Sequence, residues 1–337
     1  MKKIKLGIIY GGMSTEHDVS TQSAKSVMEN LNKEKYEIYP IYIEKNGTWL
    51  DGENKKIENA IEELKKLDVI FPVLHGLYGE DGTIQGLLEL IKIPYVGSNV
   101  VASANCMDKV YSKIIFEKAK IPQARFVYVK KMGNFYSYFT NEFNQMTANL
   151  NEIAEICKKE IGLPAFVKPS NSGSSVGINK AHNIKELMEA IEYAAKFDKK
   201  ILIEEAINGR EIECAVLGNK EPKASCVGEI LPADEFYSYE AKYENTATSL
   251  EIPAKISEEK QAEIKKTAIK AYRALDCKGL ARIDFFLDEK TNRVYINEIN
   301  TLPGFTKISM YPKLWEFSGI KYSDLLDILI NLALEKE

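Results

Sequence analysis

Residues 280–287 and 294–299 are two apolar, alternating stretches separated by Glu289-Lys290-Thr291-Asn292-Arg293, the pattern of an antiparallel hairpin with a short polar loop. Successive side chains of a strand point to opposite faces. Arg282 and Asp284 therefore share one face of the first strand, and Glu298 and Asn300 one face of the second. Closing the loop sets Asp284 opposite Glu298 and Arg282 opposite Asn300. Carboxylates facing each other across a strand pair repel, and a sheet accepts that readily when a cation sits between them. Oxygen donors without His or Cys favour a hard ion such as Mg2+, which typically also binds phosphate. The competing reading is a solvated face with an ordinary Arg282–Asp284 ion pair. The apolar flank of Phe285, Phe286 and Ile296 argues for the cation.

A second polar segment follows an apolar strand at 165–168: Lys168-Pro169-Ser170-Asn171-Ser172-Gly173-Ser174-Ser175-Val176-Gly177. A lysine at a strand end with a small-residue loop offers charge and backbone N–H groups to phosphate. Neither the Walker pattern nor GxGxxG is present, and a flexible serine-rich turn explains the composition as well. Glu16-His17 follows the Gly11-Gly12 turn, where a carboxylate can meet an ammonium group or simply favour a helix N-terminus. His75 lies among glycines and acids in a loop, a hydrogen-bonding element or a ligand-lining group. The run 236–243 reads as an aromatic lid carrying Lys242, or as an aromatic surface strand.

The whole chain alternates strands and helices, which points to an α/β protein. A strand at 5–10 leads to a helix over 18–31 that Ser14 or Thr15 could cap. Further strands at 36–43 and 69–74 complete an open, mostly parallel sheet, with ligands expected at the strands' carboxyl ends. The pattern changes near Ile121-Pro122. Residues 132–147 show no clear period and read as a linker. A small unit follows: the strand at 165–168, a helix started by Asn183 and Glu186 with Leu187, Ile191 and Ala194 on one face, and a closing strand at 201–204. From Glu211 onward strands dominate, with helices at 258–275 and 324–334. Domains over 1–120, 121–207 and 208–337 are expected, with a lid loop at 236–250.

Composition narrows the partners. The 337 residues are 45% hydrophobic and 28% charged, and 45 Lys+Arg nearly balance 49 Asp+Glu. A net charge of −4 gives no basic surface for nucleic acid. No apolar run is long enough to span a membrane, and the N-terminus lacks the pattern of a secretory signal. Cys106, Cys157, Cys214, Cys226 and Cys277 are scattered, as expected for reduced thiols in a cytoplasmic protein, and three histidines are too dispersed for zinc.

Taken together, the motifs resemble the D-alanine–D-alanine ligases of the ATP-grasp superfamily. They stand in family order: Gly11-Gly12-x-Ser14-x-Glu16-His17-x-Val19-Ser20, His75-Gly76-x-x-Gly79-Glu80-Asp81-Gly82, Met107-Asp108-Lys109, Lys168-Pro169 with Gly173-Ser174-Ser175-Val176-Gly177, Tyr239-Glu240-Ala241-Lys242-Tyr243, Arg282-x-Asp284, and Asn297-Glu298-Ile299-Asn300-Thr301-x-Pro303-Gly304-Phe305-Thr306 with Ser309. The segment 132–147 departs from the pattern. The resemblance implies a three-domain architecture: an N-terminal parallel-sheet domain, a small central α+β domain and a C-terminal mixed-sheet domain. It also implies ATP-dependent joining of two D-alanines through a D-alanyl phosphate for peptidoglycan, in a cytoplasmic homodimer.

By the same resemblance Lys109 and Lys168 hold nucleotide phosphates and Lys242 reaches the transferring group. Glu204 and Glu211 contact the adenosine end. Asp284, Glu298 and Asn300 hold two Mg2+ ions, with Mn2+ as a substitute. Arg282 and the Gly304 N–H stabilise the oxyanion. Glu16 receives the first ammonium, with Ser174 and Tyr243 completing a link to the lid. His75 lies near the first substrate, and Ser309 binds the second carboxylate. Relatives accept D-serine or D-lactate as second substrate. Those using lactate tend to carry histidine where Tyr243 stands, so tyrosine favours D-alanine. Another ATP-grasp carboxylate–amine ligase would keep the hairpin but lack the Glu16 loop.

Overall fold

The computed structural model describes residues 2–139, 144–231 and 249–335. Its first sheet contains β1 (Ile4–Gly11), β2 (Tyr36–Ile43), β3 (Trp49–Leu50) and β4 (Val69–Pro72), in the order β3-β2-β1-β4, with β1 parallel to both neighbours. Leu6, Ile8 and Ile9 of β1 are fully buried, the near-continuous apolar run of a strand covered on both faces. One cover is α1 (His17–Asn30), which contributes Ala24 and Val27. On that same face lies the last helix of the chain, Tyr322–Leu334, whose Leu325, Leu326, Leu329 and Ile330 join the same core, while Leu64 and Leu88 pack with Ile9 on the other face. Both ends of the chain thus build one core.

The expected cap of α1 is not used. Glu16 occupies the N-cap without a side-chain cap bond. Ser14 Oγ instead donates to the His75 carbonyl at 2.6 Å and accepts from the Glu16 N–H at 3.2 Å. It joins two loops rather than starting the helix. The helices α2 (Ala60–Leu64), α3 (Thr83–Leu90), α4 (Val100–Met107) and α5 (Lys109–Lys118) lead to the second sheet.

That sheet holds β5 (Phe126–Met132), β6 (Phe135–Phe139), β7 (Gln145–Ala148), β8 (Ala165–Pro169), β9 (Asn179–Ala181) and β10 (Lys200–Glu205), in the order β7-β6-β5-β10-β8-β9. The linker expected over 132–147 is corrected: β5, β6 and β7 pair there as antiparallel strands. Their period was hidden because both faces of β6 are covered. Tyr136 and Tyr138 enter the core, while Ser137 on the other face donates to Met132 Sδ at 2.9 Å and accepts from Gln145 Nε2 at 2.8 Å. Helices α6 (Leu150–Ile161) and α7 (Ile184–Ala194) pack on this sheet, and Asn183 caps α7 by accepting from Glu186 N–H. Strand β10 lies mid-sheet, between β5 and β8, which carries Glu204 into the interior.

The third sheet runs β13-β12-β11-β14-β15, from β11 (Gly209–Leu217), β12 (Lys223–Leu231), β13 (Ser249–Glu251), β14 (Leu280–Asp288) and β15 (Val294–Asn300). The pairings between these strands are antiparallel, and an isolated parallel bridge joins Gln123 to Ile296 at the β15 edge. Helix α8 (Glu258–Ala274) covers it, with Ile264, Ala268 and Ala271 buried. Helix α9 (Met310–Phe317), absent from the sequence expectation, precedes the last helix, α10. Among the described residues, no helix is long and apolar enough to cross a membrane.

Candidate active site

The hairpin places its polar face as expected: Arg282 pairs with Asn300 and Asp284 with Glu298. The route differs. Next to the loop Leu287 pairs with Val294, one residue out of the expected register, and a bulge at Asn297 restores it before Asp284. Bulges commonly re-aim a side chain beside an active site, and Asn297 Oδ1 accepts from Lys168 Nζ at 3.4 Å.

The facing carboxylates are each met by a cation. Arg282 grips Asp284 with a two-pronged bond, Nε to Oδ1 at 2.8 Å and a terminal nitrogen to Oδ2 at 2.7 Å, and lies 3.2 Å from Glu213 Oε2 on β11. Burial works against the guanidinium charge, but Asp284 and Glu213 outweigh it and hold it firmly protonated. Lys109 Nζ stands 3.5 Å from Glu298 Oε2. The competing ion-pair reading and the facing carboxylates therefore coexist. Two carboxylates and one amide oxygen on one face form an all-oxygen set suited to a hard divalent ion that shares its ligands with phosphate.

Lys109 is aimed by a residue without an assigned role, Asp108. As N-cap of α5, Asp108 accepts from Val110 N–H at 3.1 Å and Tyr111 N–H at 3.2 Å. It also accepts from Ser170 Oγ at 2.6 Å and pairs with Lys200. The start of α5 is thereby tied to the Ser/Gly loop. Lys109 bonds that loop twice, through N–H to Ser170 O at 3.0 Å and Nζ to Ser172 O at 2.7 Å. Ser174 and Ser175 in the loop have φ of +49° and +61°, a strained conformation for residues with a side chain, of the kind that clusters at functional sites.

The strain turns Ser174 Oγ to donate to Glu16 Oε1. Glu16 Oε2 fits between two glycines. A Cβ built on either Gly76 or Gly173 would lie 2.6 Å from it. Gly173→Ala should therefore displace the carboxylate. Because an ångström of misplacement can cost about 100-fold, we expect a loss of that order in kcat/KM for the first amino acid, with the melting temperature little changed. Unaltered steady-state kinetics would refute this role for the glycine.

His75 is buried, with Nδ1 3.0 Å from Leu302 O and Nε2 3.0 Å from Ser23 Oγ. Nδ1–H donates to the carbonyl, Nε2 accepts from the serine, and Ser23 Oγ accepts from Phe305 N–H at 3.2 Å. The imidazole thus holds α1 against the loop that carries Gly304. In that loop Ser309 Oγ accepts from Thr306 N–H at 2.9 Å, and a Cβ on Gly304 would come within 2.7 Å of the same oxygen. The backbone of Gly304 and the hydroxyl of Ser309 are therefore adjacent.

On the opposite wall, Glu204 lies between Lys168 and Lys113, whose Nζ is 2.8 Å from Oε2. Burial alone would raise the Glu204 carboxyl, but the two lysines hold it down to about 2. Lys113 went unrecognised in the sequence. The available signal was its spacing of four residues from Lys109, which puts both on one helix face.

Among the described residues, every expected site residue lines one cavity of about 1130 Å3: Glu16, His75, Lys109, Lys168, Ser174, Glu204, Glu211, Arg282, Asp284, Glu298, Asn300, Gly304 and Ser309. Lys242, Tyr243 and all but the last two residues of the expected lid lie outside the described residues.

The chain is similar to known proteins in sequence and fold. Residues 5–98 match the family model for the D-ala D-ala ligase N-terminus, and 115–331 that for the C-terminus. The chain is 52% identical to the D-alanine–D-alanine ligase B of Clostridium tetani, over 100% of this chain and 95% of that protein. The crystal structure of D-alanyl-alanine synthetase A from Vibrio cholerae superposes with a TM-score of 0.86 at 29% identity, covering 99% of this chain and 100% of that one. The VanG D-Ala:D-Ser ligase of Enterococcus faecalis gives 0.84 at 36%, covering 98% and 100%. With both family models matched over most of its length, the chain belongs to the D-alanine–D-alanine ligase family.

Proposed function

We propose that this protein joins two D-alanines to D-alanyl-D-alanine at the expense of ATP. The observation that carries the reading is the single cavity in which the Glu16 carboxylate, the Lys109 and Lys168 ammonium groups and the Arg282–Asp284–Glu298 face converge. A carboxylate is a poor acyl donor because oxide is a poor leaving group. The first D-alanine carboxylate therefore attacks the γ-phosphorus of ATP, the bond to the β-bridging oxygen breaks, and ADP and an acyl phosphate result. The second D-alanine, as a free amine that has left its extra proton with solvent, attacks the acyl carbon. The nitrogen then gives up a second proton to the departing phosphate as the carbon–oxygen bond breaks, leaving D-alanyl-D-alanine and inorganic phosphate.

Phosphoryl transfer asks the protein for positioning and charge. Lys109 and Lys168 hold the phosphates, with Lys242 at the transferring group, and Glu204 and Glu211 meet the adenosine end. Asp284, Glu298 and Asn300 would hold Mg2+ ions, which supply neutralisation of the phosphate charge. Glu16, held by Ser174 and completed by Tyr243, receives the first ammonium beside His75. Ser309 binds the second carboxylate. Arg282 and the Gly304 N–H meet the oxyanion of the tetrahedral intermediate, where preorganised donors act most strongly. We place the reaction in the cytoplasm, with a homodimer as the expected assembly.

The test is phosphate release with ATP and Mg2+ in the presence of D-alanine, D-serine, D-lactate or L-alanine, each with product identification. Release with D-alanine alone, giving the D,D-dipeptide, is expected. Turnover indifferent to the amino acid, or a preference for L-alanine, would sink the reading. A D-Ala–D-Ser or D-Ala–D-lactate product in preference would reassign the second substrate.

A further inference from the structure

Lys113 is a buried cation of this cavity to which the proposed reaction gives no task, whereas Lys180 and Lys313, also without one, line it half-buried. It follows Lys109 by one turn of α5, and both side chains reach the cavity. Its side chain is only 2% exposed and that of Glu204 only 4%, with Nζ 2.8 Å from Oε2. The other oxygen of Glu204 contacts Lys168 Nζ. One buried carboxylate is thus shared by two buried ammonium groups. Apart from this 2.8 Å ion pair, neither Lys113 Nζ nor Glu204 Oε2 has a hydrogen-bond partner. The Phe126 ring, with its centroid 5.5 Å from Nζ, flanks Lys113.

The count of charges matters more than any one contact. Lys168 and Glu204 alone would form a neutral pair, with the ammonium drawn onto the carboxylate and little field left for an anion. With Lys113 present these three groups carry one net positive charge where charge is weakly screened, which offsets part of the negative field of the neighbouring Glu205, Glu211 and Glu298. Lys168 also reaches Asn297 on the metal-side strand, so it is the member of the cluster that faces the phosphate region. We propose that Lys113 is a positioning residue for nucleotide phosphate: by engaging one oxygen of Glu204 it leaves Lys168 available to the phosphates. This rests on the reading that the cavity binds ATP. A merely structural Lys113 would instead pin α5 to β10 and affect all ligands alike.

Displacement of a fluorescent ATP analogue from the full-length protein, with Mg2+ and without amino acid, separates these roles. For Lys113→Met, ADP should bind at least tenfold more weakly while adenosine stays within threefold of wild type. In turnover, KM for ATP should rise at least tenfold, with kcat and KM for D-alanine within threefold. In a Glu204→Gln background, adding Lys113→Met should change ADP affinity less than threefold, because the pull on Lys168 is already gone. Unchanged ADP affinity in Lys113→Met, equal losses for ADP and adenosine, or a tenfold loss in the Glu204→Gln background would overturn the inference. If Lys113→Met does not fold, the Glu204→Gln comparison decides. Failure of wild type to bind ADP would instead refute the nucleotide reading, and the inference with it.

Discussion

Arg282→Met is expected to lower kcat by about 100- to 1,000-fold, the usual cost of removing one oxyanion donor, and to destabilise the fold at the same time. The second effect follows from the contacts. Arg282 is the two-pronged partner of Asp284 and the close neighbour of Glu213, both largely enclosed. Removing the cation from such a cluster costs on the order of 3 kcal/mol, because the acids stay behind. Arg282→Lys should recover much of the stability and little of the rate, since a point charge cannot reproduce the planar fork. Steady-state kinetics well below the melting temperature, paired with thermal melts, separate the two. A methionine variant within tenfold of wild-type kcat would exclude Arg282 from the chemistry.

Glu298→Gln should differ in its effect on the fold: a large loss of turnover with little net change in stability. The carboxylate faces Asp284 directly across β14 and β15, so the folded chain carries a like-charge repulsion that the amide relieves. Against that relief stand its 3.5 Å pair with the largely buried Lys109 and the attraction of Arg282 and Lys168, which the neutral amide gives up. Removing one formal charge from a divalent site should cost on the order of 3 kcal/mol of transition-state stabilisation, about 100-fold in kcat. The Mg2+ concentration for half-maximal rate should rise as well. Asp284→Asn should match it in rate but not in stability, because it also weakens the clamp from Arg282. If Glu298→Gln melted well below wild type, the attraction of the nearby cations would outweigh the repulsion between the facing carboxylates.

The two variants also show which parts of the site lie in local sequence. Alternation within 280–287 and 294–299 decides which side chains share a face, and a short loop decides that the strands are neighbours. That sufficed to put Asp284 against Glu298. It did not reveal that the register near the loop is off by one and recovered by a bulge at Asn297, since a bulge depends on what packs on both faces. The strands over 132–147 were hidden for a related reason: β6 is covered on both sides, so its apolar and polar residues do not alternate cleanly.

What the sequence determined by itself was therefore whatever depends on neighbours a few residues apart: the α/β character, the strand periods, the hairpin face, and the ordered motifs that mark the family. What only the tertiary structure decided were the groupings that need distant segments at contact distance. Glu16 is fitted between Gly76 and Gly173. His75 joins Ser23 to Leu302, Asp108 joins α5 to Ser170 and Lys200, and Glu204 is shared by Lys113 and Lys168. In each case a buried polar group must find its partner inside the fold, because leaving it unpaired costs more than most single contacts return. Which partner it finds is set by how loops, helix starts and strand ends from distant parts of the chain meet in the fold, and no local spacing records that.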